Sequence, residues 1–200
     1  MKYLLTLLLI VAFPLIADSV PQKTIPEGYS TKYLLPINWN TSGNYNLQVV
    51  IPPEYRPIQT QAEITNEKNS IVEFIIKGEP VNNWSQIITI NKFIGQEVSA
   101  DKITDYLKSS IIPQVKNDKI LKEYKANEGA YLFSTLFMSY DLNGRHEVLG
   151  SRYYSGPFDS VGIQYTIRTL QGQSDEYTVE KIENFFKSNA QVVTTPPTNE

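Results

Sequence analysis

Apolar and polar residues alternate with a period of two along much of the chain, and the exceptions are as informative as the rule. Tyr45, Leu47, Val49 and Ile51 alternate with polar residues until Pro52-Pro53 stop the run, which predicts a half-buried strand over residues 45–51. A weaker pattern over 58–64 predicts a second strand, and residues 66–69, Asn-Glu-Lys-Asn, form a hairpin loop leading into a third over 71–76. That third strand carries Val72, Phe74 and Ile76 on one face and Ile71, Glu73 and Ile75 on the other. Residues 78–94 then form a turn cluster opening into an apolar run led by Trp84. Trp84, Ile87 and Ile88 fit a helix, while Trp84, Ile88 and Ile90 fit one face of a strand. The β-branched isoleucines and threonine decide for a strand.

A helical period follows. Ser99 caps a helix with Asp101 in its first turn, Ile103, Tyr106, Leu107, Ile111 and Val115 form its apolar stripe, and Pro113 kinks or shortens its end. A long antiparallel section begins after Ile120. Residues 131–141 are apolar on both faces, Asn143-Gly144 is a two-residue hairpin turn, and 145–154 return. Residues 161–169 alternate, with Val161, Ile163, Tyr165 and Ile167 on one face, and a last helix starts near Ser174-Asp175 and buries Val179, Ile182, Phe185 and Phe186. This order predicts an α+β fold, a largely antiparallel sheet of about six to seven strands covered by two main helices as an α/β/α or two-layer sandwich. Residues 45–190 form that single domain, 18–44 an extended arm whose aromatics tie it down, and 191–200 a disordered tail.

Composition adds a location. Residues 1–17 have a short basic start and an apolar core too short to span a bilayer, which predicts a signal peptide cleaved after Ala17; a retained anchor is the alternative, opposed by Pro14. The mature chain would be periplasmic or secreted, with no transmembrane segment. Without Lys2 it carries 17 basic and 21 acidic residues, net −4, so nothing favours a nucleic-acid partner. The absence of cysteine excludes disulfides and thiol chemistry. With one histidine the chain gives no zinc site, and no cofactor is expected.

The motif Gly78-Glu79-Pro80-Val81-Asn82-Asn83 before Trp84 and Ile87-Ile88-Thr89-Ile90 resembles a pattern in small uncharacterised proteins exported by Gram-negative bacteria. The order of strands and helices is similar to the Mog1/PsbP-like α/β/α sandwich. The resemblance implies a non-catalytic binding or assembly module, and it transfers no functional residue.

Register arithmetic supplies the candidate site. The Asn143-Gly144 turn pairs Asp141 with His146, Phe137 with Gly150 and Thr135 with Arg152. If Tyr153 pairs with Val161, His146 faces Arg168 and Gly150 faces Gln164. Asp141, His146, Arg152, Gln164 and Arg168 then share one face, either as a ligand-binding surface with the arginines as anion clamps or as a solvated charge ladder. Ser139 and Ser151 lie nearby in sequence, but neither sits in a nucleophile elbow, and no spacing pairs two of Glu73, Glu79, Glu123, Glu128 and Glu147 for glycoside hydrolysis. Asp141-Leu142-Asn143-Gly144 lacks the later ligands of a calcium loop. The expected function is a non-enzymatic binding or interaction module, a secreted effector or periplasmic factor whose partner is a protein or a small ligand. The alternatives are a hydrolase with a loop-assembled acid or serine site and an effector that binds anionic lipid head groups through Arg152 and Arg168.

Overall fold

A computed structural model describes residues 31–38, 44–58, 69–93, 98–128, 131–156, 159–170 and 172–195. The strands are β1 (Thr31–Asn38), β2 (Asn44–Ile51), β3 (Tyr55–Ile58), β4 (Asn69–Ile76), β5 (Gln86–Phe93), β6 (Lys116–Glu128), β7 (Tyr131–Leu142), β8 (Arg145–Ser155), β9 (Ser160–Arg168) and β10 (Ala190–Thr195). The helices are α1 (Ala100–Ile111), followed by a 3-10 turn, and α2 (Asp175–Asn189). Seven strands form one antiparallel sheet in the order β3-β4-β5-β9-β8-β7-β6, and β1-β2-β10 form a second of three strands. The α+β sandwich expected from the sequence is the fold.

The large sheet has two unlike faces. One carries Phe74, Ile88, Ile90, Phe137, Val148, Ile163 and Tyr165, and it is closed by Ile182 and Phe186 of α2 together with Leu47, Val49 and Ile51 of β2. Gly150 makes this closure possible: a Cβ there would stand 2.5 Å from Ile182 Cγ2 and 2.9 Å from Phe137 Cε1. The opposite face carries Phe93, Leu136, Met138, Leu149 and Tyr153, and α1 covers only this part of it, through Ala100, Ile103 and Leu107. Ser99 occupies the N-cap of α1, but the Ser155 hydroxyl accepts the Ala100 amide hydrogen, at 2.9 Å. α1 stops at Ile111 and a 3-10 turn containing Pro113 follows, so among the described residues no helix continues over β4, β5 and β9.

The Asn143-Gly144 turn has positive φ at both residues, 52° and 75°, as a primed hairpin requires, and the β7–β8 pairing matches the sequence arithmetic residue for residue. The next pairing does not. Gly162, not Val161, stands opposite Tyr153, and Arg168 stands opposite Glu147 rather than His146. A slip of one residue exchanges the faces of a whole strand, so Gln164, Thr166 and Arg168 lie on the α1 face while His146 and Arg152 lie on the α2 face. Further details concern the elements. Trp84 precedes β5 and packs with Ile87, not with Ile88 and Ile90. Residues 31–38 of the expected arm pair along β2, and so does the start of the expected tail, through β10. The leader, residues 59–64 of the weak strand and the loop residues 66–68 lie outside the described residues. No helix among the described residues is long and apolar enough to cross a membrane.

Candidate functional site

Beyond the end of α1 the same sheet face carries a concave cavity of about 590 Å³. Its floor is built by strand register. Glu73 of β4 pairs with Thr89 of β5, which pairs with Gln164 of β9, and the flanking rows are Ile71–Asn91 and Ile75–Ile87–Thr166. Ile58, Ile87 and Trp84 wall one side, and Leu107 and Ile111 at the C-terminal end of α1, with Val115 after it, line another. A mostly apolar concavity of this size with a few converging polar groups is the usual form of a small-ligand site.

Two groups order the polar floor. The Tyr153 ring crosses over Gly162, and its hydroxyl accepts hydrogen bonds from Gln164 Nε2 at 2.5 Å and Asn91 Nδ2 at 3.4 Å. At the other end Arg168 donates from Nε to Glu147 Oε1 at 2.8 Å and from Nη1 to the Trp84 carbonyl at 2.7 Å, with its guanidinium 3.6 Å above the Trp84 ring. Burial, then the Glu147 charge and hydrogen bond, push the neighbouring Tyr140 phenol well above its ordinary value, so it stays neutral. Glu73 differs from both. Among the described residues nothing pairs with its carboxyl, and burial alone pushes it up to about 7.

The five residues expected to share a surface therefore divide. Gln164 and Arg168 line the cavity. Arg152 lies on the other face, bonded to Thr135 Oγ1 and the Tyr124 hydroxyl, with its guanidinium 5.7 and 5.3 Å from the Phe133 and Phe186 rings. It cannot act in one clamp with Arg168. Asp141 and His146 do meet: His146 Nδ1 is 2.6 Å from Asp141 Oδ1, and Nε2 is 2.8 Å from Asp175 Oδ1 at the start of α2. With both ring nitrogens bonded to carboxylates, His146 has none free to take a proton from a serine. Glu73, the distinctive member of the cavity, has a signal in sequence only in retrospect: it is a carboxylate set between Ile71 and Ile75 on one strand face.

The His146 clip makes the stability depend on pH. Burial of the ring opposes its charge, but the hydrogen bonds to Asp141 and Asp175 outweigh it and raise its pKa above 6.5. A raised histidine stabilises the fold fully below the unfolded value and loses that contribution as pH rises through the folded value. Asp141, held low by Asn117 and then by His146, sets the acid limit, because its contribution is lost as pH falls through its depressed value. The His146 ring should titrate above 6.5 by NMR, and Asp175→Asn should destabilise more at pH 6 than at pH 9. Equal losses at the two pH values would remove the clip from the account.

No family model matches the sequence, and no curated protein matches it. Solved structures do. Cyanobacterial PsbP (CyanoP) from Synechocystis has a TM-score of 0.50 at 10% identity, covering 88% of this chain and 98% of that one. The Ran-binding protein Mog1p of Saccharomyces cerevisiae has 0.48 at 10% identity, covering 74% and 90%, and LpqN of Mycobacterium tuberculosis, involved in cell envelope biogenesis, has 0.45 at 13%, covering 82% and 92%. At such identities the likeness concerns architecture alone: the chain has a Mog1/PsbP-like fold.

Proposed function

We propose that the chain is a non-enzymatic binding module of an exported protein, and that the cavity on the α1 face is where it binds. The observation that carries this reading is the floor row Glu73–Thr89–Gln164, polar and recessed between apolar walls where no helix of the described residues lies above the sheet. A sheet face with no binding role would gain by closing this space with larger apolar side chains, as its neighbour under α1 does with Leu136, Met138 and Leu149. The leader over 1–17 supports export, and the module would then act in the periplasm or beyond.

Two measurements on one preparation test the proposal. The full chain is expressed in a Gram-negative host; an N-terminus at Asp18 in the periplasmic fraction supports export, and Met1 in cytosolic material overturns it. The same protein, carrying 5-fluorotryptophan and Trp39→Phe so that Trp84 alone reports, is titrated with 1-pentanol and indole. Saturable shifts of the Trp84 resonance, abolished when Thr89→Phe fills the floor, are expected. Shifts that persist in Thr89→Phe would place binding elsewhere.

A further inference from the structure

The charges around the cavity indicate what chemistry it takes. Glu147 and Arg168 neutralise each other, Arg145 is exposed at the rim, and Arg56 on β3 donates to the Glu79 carbonyl. No lining residue of α1 carries a charge; its contributions are Leu107, Ser110 and Ile111. Among the described residues Glu73 is thus the one charged group of the floor that lacks a partner. Next to it on the same row stand the Thr89 hydroxyl and, one strand further, the Gln164 side-chain amide, spaced by the roughly 4.8 Å between neighbouring strands. Those are acceptors suited to a donor group with several hydrogens, and the wall of Ile58, Ile87 and Trp84 suits an unbranched apolar stem.

We infer that the cavity binds an alkylammonium group, its –NH3+ against Glu73 with Thr89 and Gln164 as secondary acceptors and its methylene stem along the isoleucine and Trp84 wall. This rests on the cavity being the binding site. An ammonium carries three donors on a slender stem, which matches a carboxylate flanked by neutral acceptors. An anion would meet the Glu73 charge, and a neutral alcohol would leave it unpaired. Because Glu73 is held near neutrality in its titration, the ammonium selects the carboxylate form and binding expels a proton. With a carboxyl titrating at about 7, the ionised fraction rises about tenfold between pH 6 and pH 8, and so does the affinity for the cation. The other titratable and charged groups of the lining are Tyr140, whose phenol is pushed upward by burial, Glu147 and Arg168, which pair with each other, and Arg145 at the rim.

The test compares n-pentylammonium with 1-pentanol on the full chain by chemical-shift titration at pH 6 and pH 8, in the parent and in Glu73→Gln. The expected result is a roughly tenfold gain in pentylammonium affinity from pH 6 to pH 8, absent for pentanol and abolished in Glu73→Gln, with the Glu73 carboxyl midpoint falling at saturating probe. Pentylammonium binding no tighter than pentanol, and unchanged in Glu73→Gln, would overturn the cation assignment and leave the cavity as a neutral site. Failure of both probes to shift cavity resonances would overturn the cavity reading itself. A further arm separates two sources of the same group: tighter binding of Nα-acetyl-lysine amide than of pentylammonium assigns a polypeptide lysine, and the reverse assigns a free amine. Because Glu73→Gln removes an unpaired half-buried acid, it is expected to fold, and equal or higher stability at pH 8 verifies that the comparison concerns binding.

Discussion

Gly162→Ala is expected to destabilise the protein by about 3 kcal/mol or more, at the upper end of what overpacking costs. A Cβ at Gly162 would stand 2.1 Å from Tyr153 Cδ1, 2.5 Å from Cε1 and 2.9 Å from Cγ. The ring cannot yield easily, because Tyr153 is 0% exposed and its hydroxyl is held by Gln164 and Asn91. Gly144→Ala provides the contrast. Nothing lies within 4 Å of a Cβ there, and the cost comes from a backbone φ of +75°, about 1–2 kcal/mol. Urea denaturation measures both. In a Tyr153→Leu background the Gly162→Ala penalty should fall below about 1 kcal/mol, because the clashing ring is gone. An equal penalty in both backgrounds would mean that the ring does not set the glycine requirement. The same variant should disturb the cavity, since the ring that crosses Gly162 also fixes the Gln164 amide on the floor.

How far the sequence carries depends on which physical signal each element leaves. Asn143-Gly144 dictates a primed turn, and a two-residue turn leaves one register, so the β7–β8 pairs could be read in advance. The connection from β8 to β9 has no such constraint. Ser155 pairs with Ser160, and the Gly156 amide bonds to the Asp159 carbonyl, a closure that a run of Ser-Gly-Pro-Phe-Asp does not specify. The one-residue error that results moves Arg168 from His146 to Glu147 and separates it from Arg152. β6 is hidden for a different reason. Its lysines at 116, 119, 122 and 125 recur every third residue, and the strand tolerates this because it is an edge with register shifts along its length. Three of its residues, Lys122, Glu123 and Lys125, pair with Glu183, Lys108 and Asp101 on the two helices, contacts invisible to periodicity. The cavity itself is the sum of two facts that no local pattern records: where α1 ends, and which strand faces lie beneath its missing continuation. The 78–94 motif, which carries the resemblance, contributes Trp84 and Thr89 to that cavity, so the landmark of the fold is also part of its wall and floor.

The pair at the cavity's far end gives the second large effect. Glu147 is 2% exposed in its side chain and relies on Arg168 for its charge partner, so Arg168→Met should cost about 3–5 kcal/mol by leaving a buried carboxylate uncompensated. The loss has further parts, since the Trp84 carbonyl loses its donor and the Trp84 ring its cation. Replacing both charges separates these contributions. In Glu147→Gln/Arg168→Met the amide still meets the Tyr140 hydroxyl, no buried charge remains, and more than half of the lost stability should return. The residual deficit then measures what Arg168 does for Trp84. If the double variant is no more stable than Arg168→Met alone, the carboxylate is not the source of the penalty and the Trp84 contacts are. In either variant the Trp84 resonance should move, because the stacked guanidinium at 3.6 Å is what holds the ring at the junction between the turn at 78–85 and β9. A wall positioned by an ion pair beneath the sheet end links stability to binding here. Weakening the pair should lower the affinity of the cavity for apolar probes before it unfolds the domain.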